Sequence, residues 1–296
     1  MAIQKVGVVG CGLMGHGIAQ VAAQGGFDVL VVETEQGFLD KGLARIDKSL
    51  AKLAEKAVEK GKPAEQAKAE SAAVRARIRG SLERKALADR DLVVEAIVED
   101  LGEKRALFAD LGRICKPSAI LASNTSSFPI AEMGKASGRP AQTVGLHFFN
   151  PVQLMRLVEV VKAPATSDDT FAAARAFGEA CGKTPVACKD TPGFVVNRLL
   201  VPYMVQSLLM LERGDATAAD IDAAMQLGCG HPMGPIELTD YVGIDTTLSI
   251  LEGWVKAYPS ESAFAIPAIL EKKKAEGKLG RKSGEGFYKW QGDKRL

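Results

Sequence analysis

The chain has 296 residues, 47% hydrophobic and 25% charged, the balance of a globular protein with room for two domains, which excludes disordered, collagen-like and disulfide-scaffold classes. Thirty-eight lysines and arginines against thirty-six aspartates and glutamates leave a net charge of +2, too even for a partner that is nucleic acid or an anionic membrane surface, so an anionic ligand must be met by a local cluster. The five cysteines (Cys11, Cys115, Cys181, Cys188 and Cys229) form no CxxC and no cysteine–histidine metal spacing, which points to free thiols, no metal site and a reducing, cytoplasmic location.

The first apolar run, residues 6–9, begins too soon after Met1 for a signal or transit segment to precede it. It reads as a strand and leads into Gly10-Cys11-Gly12-Leu13-Met14-Gly15, after which Ile18, Val21 and Ala22 set a helical period. In this strand-to-helix context the glycines predict a dinucleotide site. Gly10 serves the tight turn, Gly12 the approach of a pyrophosphate, and Gly15 the packing of a helix whose N-terminus favours anions; the alternative is a glycine-rich turn without a ligand. A second strand, 29–32, ends in Glu33, eighteen residues after Gly15, where a carboxylate can accept from the adenine ribose hydroxyls and repel a 2′-phosphate. With no Arg or Lys until Lys41, NAD is expected over NADP.

Forty-four residues, 34–77, separate this strand from the next β-prone segment at Ile78, more than a simple crossover needs. They are rich in Ala, Lys and Glu and broken by Gly61-Lys62-Pro63, so they read as two helices and a turn. That excursion is either a solvated helical pair or a flap whose lysines face an anionic ligand. Further strands are expected at 92–97, 119–123, 144–149, 157–161 and 185–188, alternating with helices, hence an α/β domain with a mostly parallel sheet covered on both faces. Beyond Pro192 and Gly193 the β-type runs stop. The segments AADIDAAMQL, TTLSILEGWVKAY and AFAIPAILEKKKAE read at helical period, so the boundary falls at 189/190, with an all-α domain over 190–296. The apolar stretch 194–211 carries Asn197, Arg198, Gln206 and Ser207, which argues against a membrane span.

Of three histidines, His16 follows the glycine motif and His231 lies in a GHPMGP turn, while His147 sits near the end of a strand, on the side where open α/β sheets bind ligands. The chain turns at Asn150-Pro151 and returns through LVEVV; if the arms pair about Gln153, Glu159 faces His147. A carboxylate there fixes the imidazole tautomer and stabilises the imidazolium formed when a base takes a proton from an alcohol. The alternative is a solvent-facing Glu159 and a partly buried histidine with other partners. The segment SNTSS, 123–127, offers hydroxyls and an amide at a strand end, or caps for the next helix, and a buried Asn197 in TPGFVVNR needs a hydrogen-bond partner.

The ordered series GCGLMGHGIAQ, DLVVEAIVED, SNTSS, GLHFFNPV, LVEVV, KDTPGFVVNRLL, LGCGHPMGP and GRKSGEGFY spans nearly the whole chain and resembles the L-3-hydroxyacyl-CoA dehydrogenase family, in size and form its bacterial 3-hydroxybutyryl-CoA members. The resemblance implies a Rossmann-type NAD domain, a helical C-terminal domain that forms a homodimer, and reversible oxidation of (S)-3-hydroxyacyl-CoA to 3-oxoacyl-CoA. It implies His147 as base, Glu159 as its orienting partner, Ser126 as the substrate-polarising hydroxyl and Asn197 as the cleft asparagine. Gly10, Gly12, Leu13, Met14, Gly15, Glu33, Glu99, Lys104 and Asn150 match cofactor-contacting positions, and Ser49 and Lys56 match CoA contacts on the flap. Two other hypotheses are a dehydrogenase of free 3-hydroxy or sugar acids, for which the flap and the HFFNP segment would change, and a non-catalytic NADH-binding regulator, which would not require His147 with Glu159.

Overall fold

The computed structural model describes residues 3–296. Its elements run β1 (Lys5–Val9), α1 (Gly15–Gln24), β2 (Asp28–Val32), α2 (Gln36–Glu59), α3 (Ala64–Ala76), β3 (Ile78–Ser81), β4 (Leu92–Glu95), α4 (Leu101–Ile114), β5 (Ile120–Ser123), α5 (Ile130–Ser137), β6 (Thr143–Phe148), β7 (Leu157–Lys162), α6 (Asp168–Ala180) and β8 (Thr184–Lys189). These are followed by α7 (Val196–Glu212), α8 (Ala218–Cys229), α9 (Pro235–Val242), α10 (Ile244–Ala257), α11 (Ala268–Ala275), β9 (Trp290–Gln291) and β10 (Lys294–Arg295). Two compact units result, the first ending at Phe194 and the second spanning Val195–Leu296.

The first unit is a single sheet of order β3-β2-β1-β4-β5-β6-β7-β8, parallel throughout except for the β6–β7 pair. Its central strands read as continuous apolar runs because successive residues enter different cores. Val6, Val8, Leu92 and Val94 pack with Ile18 of α1, Ile46 of α2 and Phe177 of α6, whereas Val9, Val93 and Leu121 join Leu107 and Phe108 of α4 and Met133 of α5. The order reverses between β1 and β4, so the carboxyl edge opens a crevice there, the expected place for a ligand in such a sheet.

The excursion after β2 is the helical pair α2 and α3, with Gly61 at φ +93° in the turn and Pro63 as the N-cap of α3. Helix α2 buries one stripe, Leu39, Gly42, Ile46 and Leu50. The alternative that Ser and Thr of SNTSS cap the next helix is not realised. Pro129 occupies the N-cap of α5 without a side-chain bond, and the Asp190 carboxylate accepts instead from Ile130 N and Ala131 N at 2.9 and 2.8 Å. These bonds tie Asp190 to the first unit, whose last residue is Phe194.

The core of the second unit gathers Val205 and Leu208 of α7, Ile221 of α8, Ile236 of α9 and Leu248 and Leu251 of α10. Two expectations are corrected here. Residues 263–267 of the segment AFAIPAILEKKKAE are not helical: α11 starts only at Ala268, and Pro267, its N-cap, disfavours helical geometry at Ile266 before it. The unit is also not purely helical: β9 and β10 form a hairpin across Gly292-Asp293, with Gly292 at φ +60°. The buried Asp240 carboxylate anchors the approach to this hairpin, accepting from Phe287 N, Tyr288 N and the Trp290 indole at 2.8, 2.8 and 3.0 Å. Burial nevertheless pushes the Asp240 carboxyl above the usual range, outweighing those bonds.

Candidate active site

The carboxyl edge of the first sheet carries the glycine turn after β1. Gly10 has φ +94°, and a Cβ there would lie 2.6 Å from Ala96 O; a Cβ on Gly15 would meet Gly10 O at 1.8 Å, so neither position accepts a side chain. Above Gly12 the space is open, with nothing within 4 Å of a Cβ. Helix α1 starts at this turn with Met14 as its N-cap, no side-chain cap and no acidic residue in its first turn, which leaves its positive end to an anion. Leu13 is exposed beside it. The Glu33 carboxylate, just past β2, reaches back to Cys11 N and also accepts from Thr34 N at 3.1 Å, so acceptor oxygens stand at the turn. These residues fit a dinucleotide of the NAD type: open backbone for a pyrophosphate and a carboxylate for ribose hydroxyls. Burial and then Glu33 push the Cys11 thiol up to about 12, which favours the protonated form.

His147 lies near the carboxyl end of β6, paired in register with Glu159 of β7. Their side chains meet, His147 Nδ1 donating to Glu159 Oε2 at 2.7 Å, with His147 6% and Glu159 0% exposed. Because a carboxylate can only accept, Nδ1 carries a proton, and in the neutral imidazole the lone pair is then on Nε2. The imidazole is walled by Phe149 and Phe194, whose ring centroids lie 4.5 and 5.6 Å away. Phe194 takes φ +53°, a left-handed conformation costly for an aromatic residue and of the kind that concentrates at functional sites. Cys188 on β8 is held protonated, pushed up to about 12 by burial and then by Glu159 and Asp190.

A second polar cluster joins β4, α4 and the turn after β5. Lys104 of α4, 1% exposed, bridges Glu95 Oε1 at 2.5 Å and Glu99 Oε2 at 3.1 Å. The other oxygen of Glu99 accepts from Thr125 Oγ1 at 2.7 Å, Ser126 N at 3.0 Å and Ser126 Oγ at 3.4 Å. Burial would raise the Glu99 carboxyl, but the Lys104 charge and these hydrogen bonds outweigh it and hold it below the usual value.

The exposed face of α2 forms a third region. Arg45, Lys48, Ser49, Lys52 and Lys56 recur at helical spacing and line a cleft of about 350 Å³ whose other wall is His16, Pro151, Gln153 and Leu154. Ser49 and Lys56 are thus brought together, beside the turn that follows Asn150, itself exposed. His16 Nδ1 donates to Gly12 O at 2.7 Å, joining this cleft to the glycine turn. Asn197 is the second residue of α7, in the second unit, and is half-buried where burial was expected. Sequence reasoning did not assign Glu95, Phe194 or the cleft role of His16. Only Glu95 carried a signal, a charged residue inside an otherwise apolar strand.

Residues 5–191 match the NAD-binding domain of 3-hydroxyacyl-CoA dehydrogenase and residues 193–290 match the C-terminal domain of the same enzyme family. The chain is 49% identical over 286 residues, 97% of its own length and 100% of the relative's, to a probable 3-hydroxybutyryl-CoA dehydrogenase of Deinococcus radiodurans. It is 48% identical over 292 residues, covering 97% of this chain and 91% of the relative, to the mitochondrial hydroxyacyl-coenzyme A dehydrogenase of Homo sapiens. The crystal structure of (S)-3-hydroxybutyryl-CoA dehydrogenase from Ralstonia eutropha superposes with a TM-score of 0.92 at 38% identity, covering 98% of this chain and 100% of that one. With a nucleotide-binding glycine turn, a buried histidine–glutamate pair and these matches over both domains, the chain belongs to the 3-hydroxyacyl-CoA dehydrogenase family of NAD-binding oxidoreductases.

Proposed function

We propose that the protein interconverts (S)-3-hydroxyacyl-CoA and 3-oxoacyl-CoA, with the short-chain pair 3-hydroxybutyryl-CoA and acetoacetyl-CoA as substrates and His147 as the base. The observation that carries this reading is the 2.7 Å bond from His147 Nδ1 to the fully buried Glu159 carboxylate, at the ligand-binding edge of the sheet that bears the glycine turn. Bound NAD supplies the hydride acceptor or, reduced, the donor. His147 Nε2, with its lone pair, takes the proton of the 3-hydroxyl during oxidation and returns it during reduction, while Glu159 stabilises the imidazolium between. Ser126 offers a hydroxyl to a substrate oxygen, and Asn197 is the remaining polar residue assigned to the reaction. Gly10, Gly12, Leu13, Met14, Gly15, Glu33, Glu99, Lys104 and Asn150 are assigned to the cofactor. Ser49 and Lys56, with Arg45, Lys48 and Lys52 beside them, suit the phosphates of CoA.

The domain division, a homodimer and a reducing, cytoplasmic location complete this reading; the cysteines are free, and among the described residues no helix is long and apolar enough to cross a membrane. The test is a cofactor-oxidation assay with acetoacetyl-CoA, longer 3-oxoacyl-CoA esters and free acetoacetate, each with NADH and NADPH. Fastest turnover with acetoacetyl-CoA and NADH is expected; equal turnover of free acetoacetate would overturn the thioester assignment.

A further inference from the structure

Glu95 is an acid at the end of a central strand, 0% exposed, where an unpaired charge would cost several kcal/mol of desolvation. Both of its oxygens accept hydrogen bonds. Oε1 accepts from Lys104 Nζ at 2.5 Å and Ile97 N at 2.9 Å, and Oε2 accepts from Ser123 Oγ at 2.6 Å. Each bond leads to a part of the site. Ile97 N fixes the chain just past Ala96, whose carbonyl abuts Gly10 of the glycine turn. Lys104 passes to Glu99, which holds Ser126 through its N–H and hydroxyl. Ser123 Oγ accepts in turn from Thr125 N at 3.2 Å, and the Thr125 hydroxyl donates to the same Glu99 oxygen. Two separate routes therefore run from one buried carboxylate to the turn that carries Ser126. Asn124 adds a third link, donating its N–H to Glu95 O at 3.0 Å and accepting from Phe148 N at 2.9 Å, next to His147.

If burial of Lys104 were the only need, one acid would serve; two are present, one buried and one 38% exposed, with the ammonium between them. We infer that Glu95 is a positioning residue: it fixes Lys104 and Ser123 so that Glu99 and Ser126 are presented in a set geometry to the cofactor and the reacting carbonyl. The inference rests on the proposed function for the role of Ser126, while the effect on Glu99 is readable from cofactor binding alone.

The experiment compares wild type, Glu95→Gln, Ser126→Ala and the double variant by fluorescence titration of NADH and by steady-state kinetics with acetoacetyl-CoA, with circular dichroism to verify folding. Glu95→Gln is expected to weaken NADH binding by about tenfold, and Ser126→Ala to cost less kcat in the Glu95→Gln background than in wild type, because residues in one network do not act additively. Multiplicative kcat losses with an NADH Kd within about twofold of wild type would overturn the proposal. Should Glu95→Gln fail to fold, Ser123→Ala replaces it in the same cycle, cutting a single hydrogen bond to the same carboxylate. An inactive wild type that still binds NADH would sink the substrate assignment and leave the titration arm intact.

Discussion

On the proposed function, the β6–β7 hairpin and the exposed face of α2 would serve one substrate by opposite means. In the hairpin, two side chains on paired strands are locked by one short bond, shielded by Phe149 and Phe194. On α2, Arg45, Lys48, Lys52 and Lys56 are all exposed and line an open cleft with no single fixed partner for an anion. The contrast is that between a group suited to proton transfer and a surface suited to attracting anions. A proton transfer needs a group held to a fraction of an ångström in a water-poor setting, whereas attraction of phosphates needs only summed positive charge, to which each lysine adds a little and salt subtracts. On the proposed function, a chain of nearly balanced charge would achieve the second with Arg45, Lys48, Lys52 and Lys56 gathered on one helical stripe.

The sharpest way to break this contrast is His147→Gln, expected to lower kcat by at least about a hundredfold while NADH affinity stays near wild type, from the usual scale of general-base effects. Near-normal turnover in that variant would remove the hairpin from the chemistry. Glu159→Gln keeps a hydrogen-bonding group against Nδ1 but removes the charge that stabilises the imidazolium; a loss of about tenfold or more in kcat is expected, with KM little changed. Equal rises in KM and falls in kcat would make Glu159 a structural residue only.

Glu33 lies between the two regimes, half-buried and bonded at the glycine turn. Replacing Thr34 by Arg together with Glu33→Ser should shift the NADH to NADPH preference by roughly tenfold, the scale of one charge-assisted hydrogen bond. Unchanged selectivity in kcat/KM would show that the ribose is read elsewhere. The smallest effect is expected for Lys56→Ala, a rise in the KM for acetoacetyl-CoA of roughly two- to fivefold, since exposed charge pairs are worth about 1 kcal/mol or less. That rise should vanish for an acyl-pantetheine lacking the nucleotide and shrink at high salt; equal effects on both substrates would remove the cleft from CoA recognition.

Much of this was legible in the chain itself. The position of Glu33 after Gly15, the break at Gly61-Lys62-Pro63 and the symmetric placement of His147 and Glu159 about Gln153 are all local, because strand and helix periods and turn residues act over a few positions. The short β9–β10 hairpin also had a local signal, Gly292-Asp293 between the two strands, although the helical tone of the preceding segments obscured it. Glu95 and Phe194 were different. Nothing near Glu95 in sequence announces that Lys104 and Ser123 will close on it, and nothing around Phe194 announces a left-handed backbone beneath an imidazole.

The order of residues by itself determined the strands, the helical pair after β2, the nucleotide turn and the family, since each depends on spacing along one stretch of chain. Tertiary structure alone decided which charges share a buried pocket, that Asp190 caps α5 and that the α2 stripe faces the turn after Asn150. These depend on distances between segments far apart in the chain, and such distances exist only after the apolar faces of the sheet and helices have closed on one another.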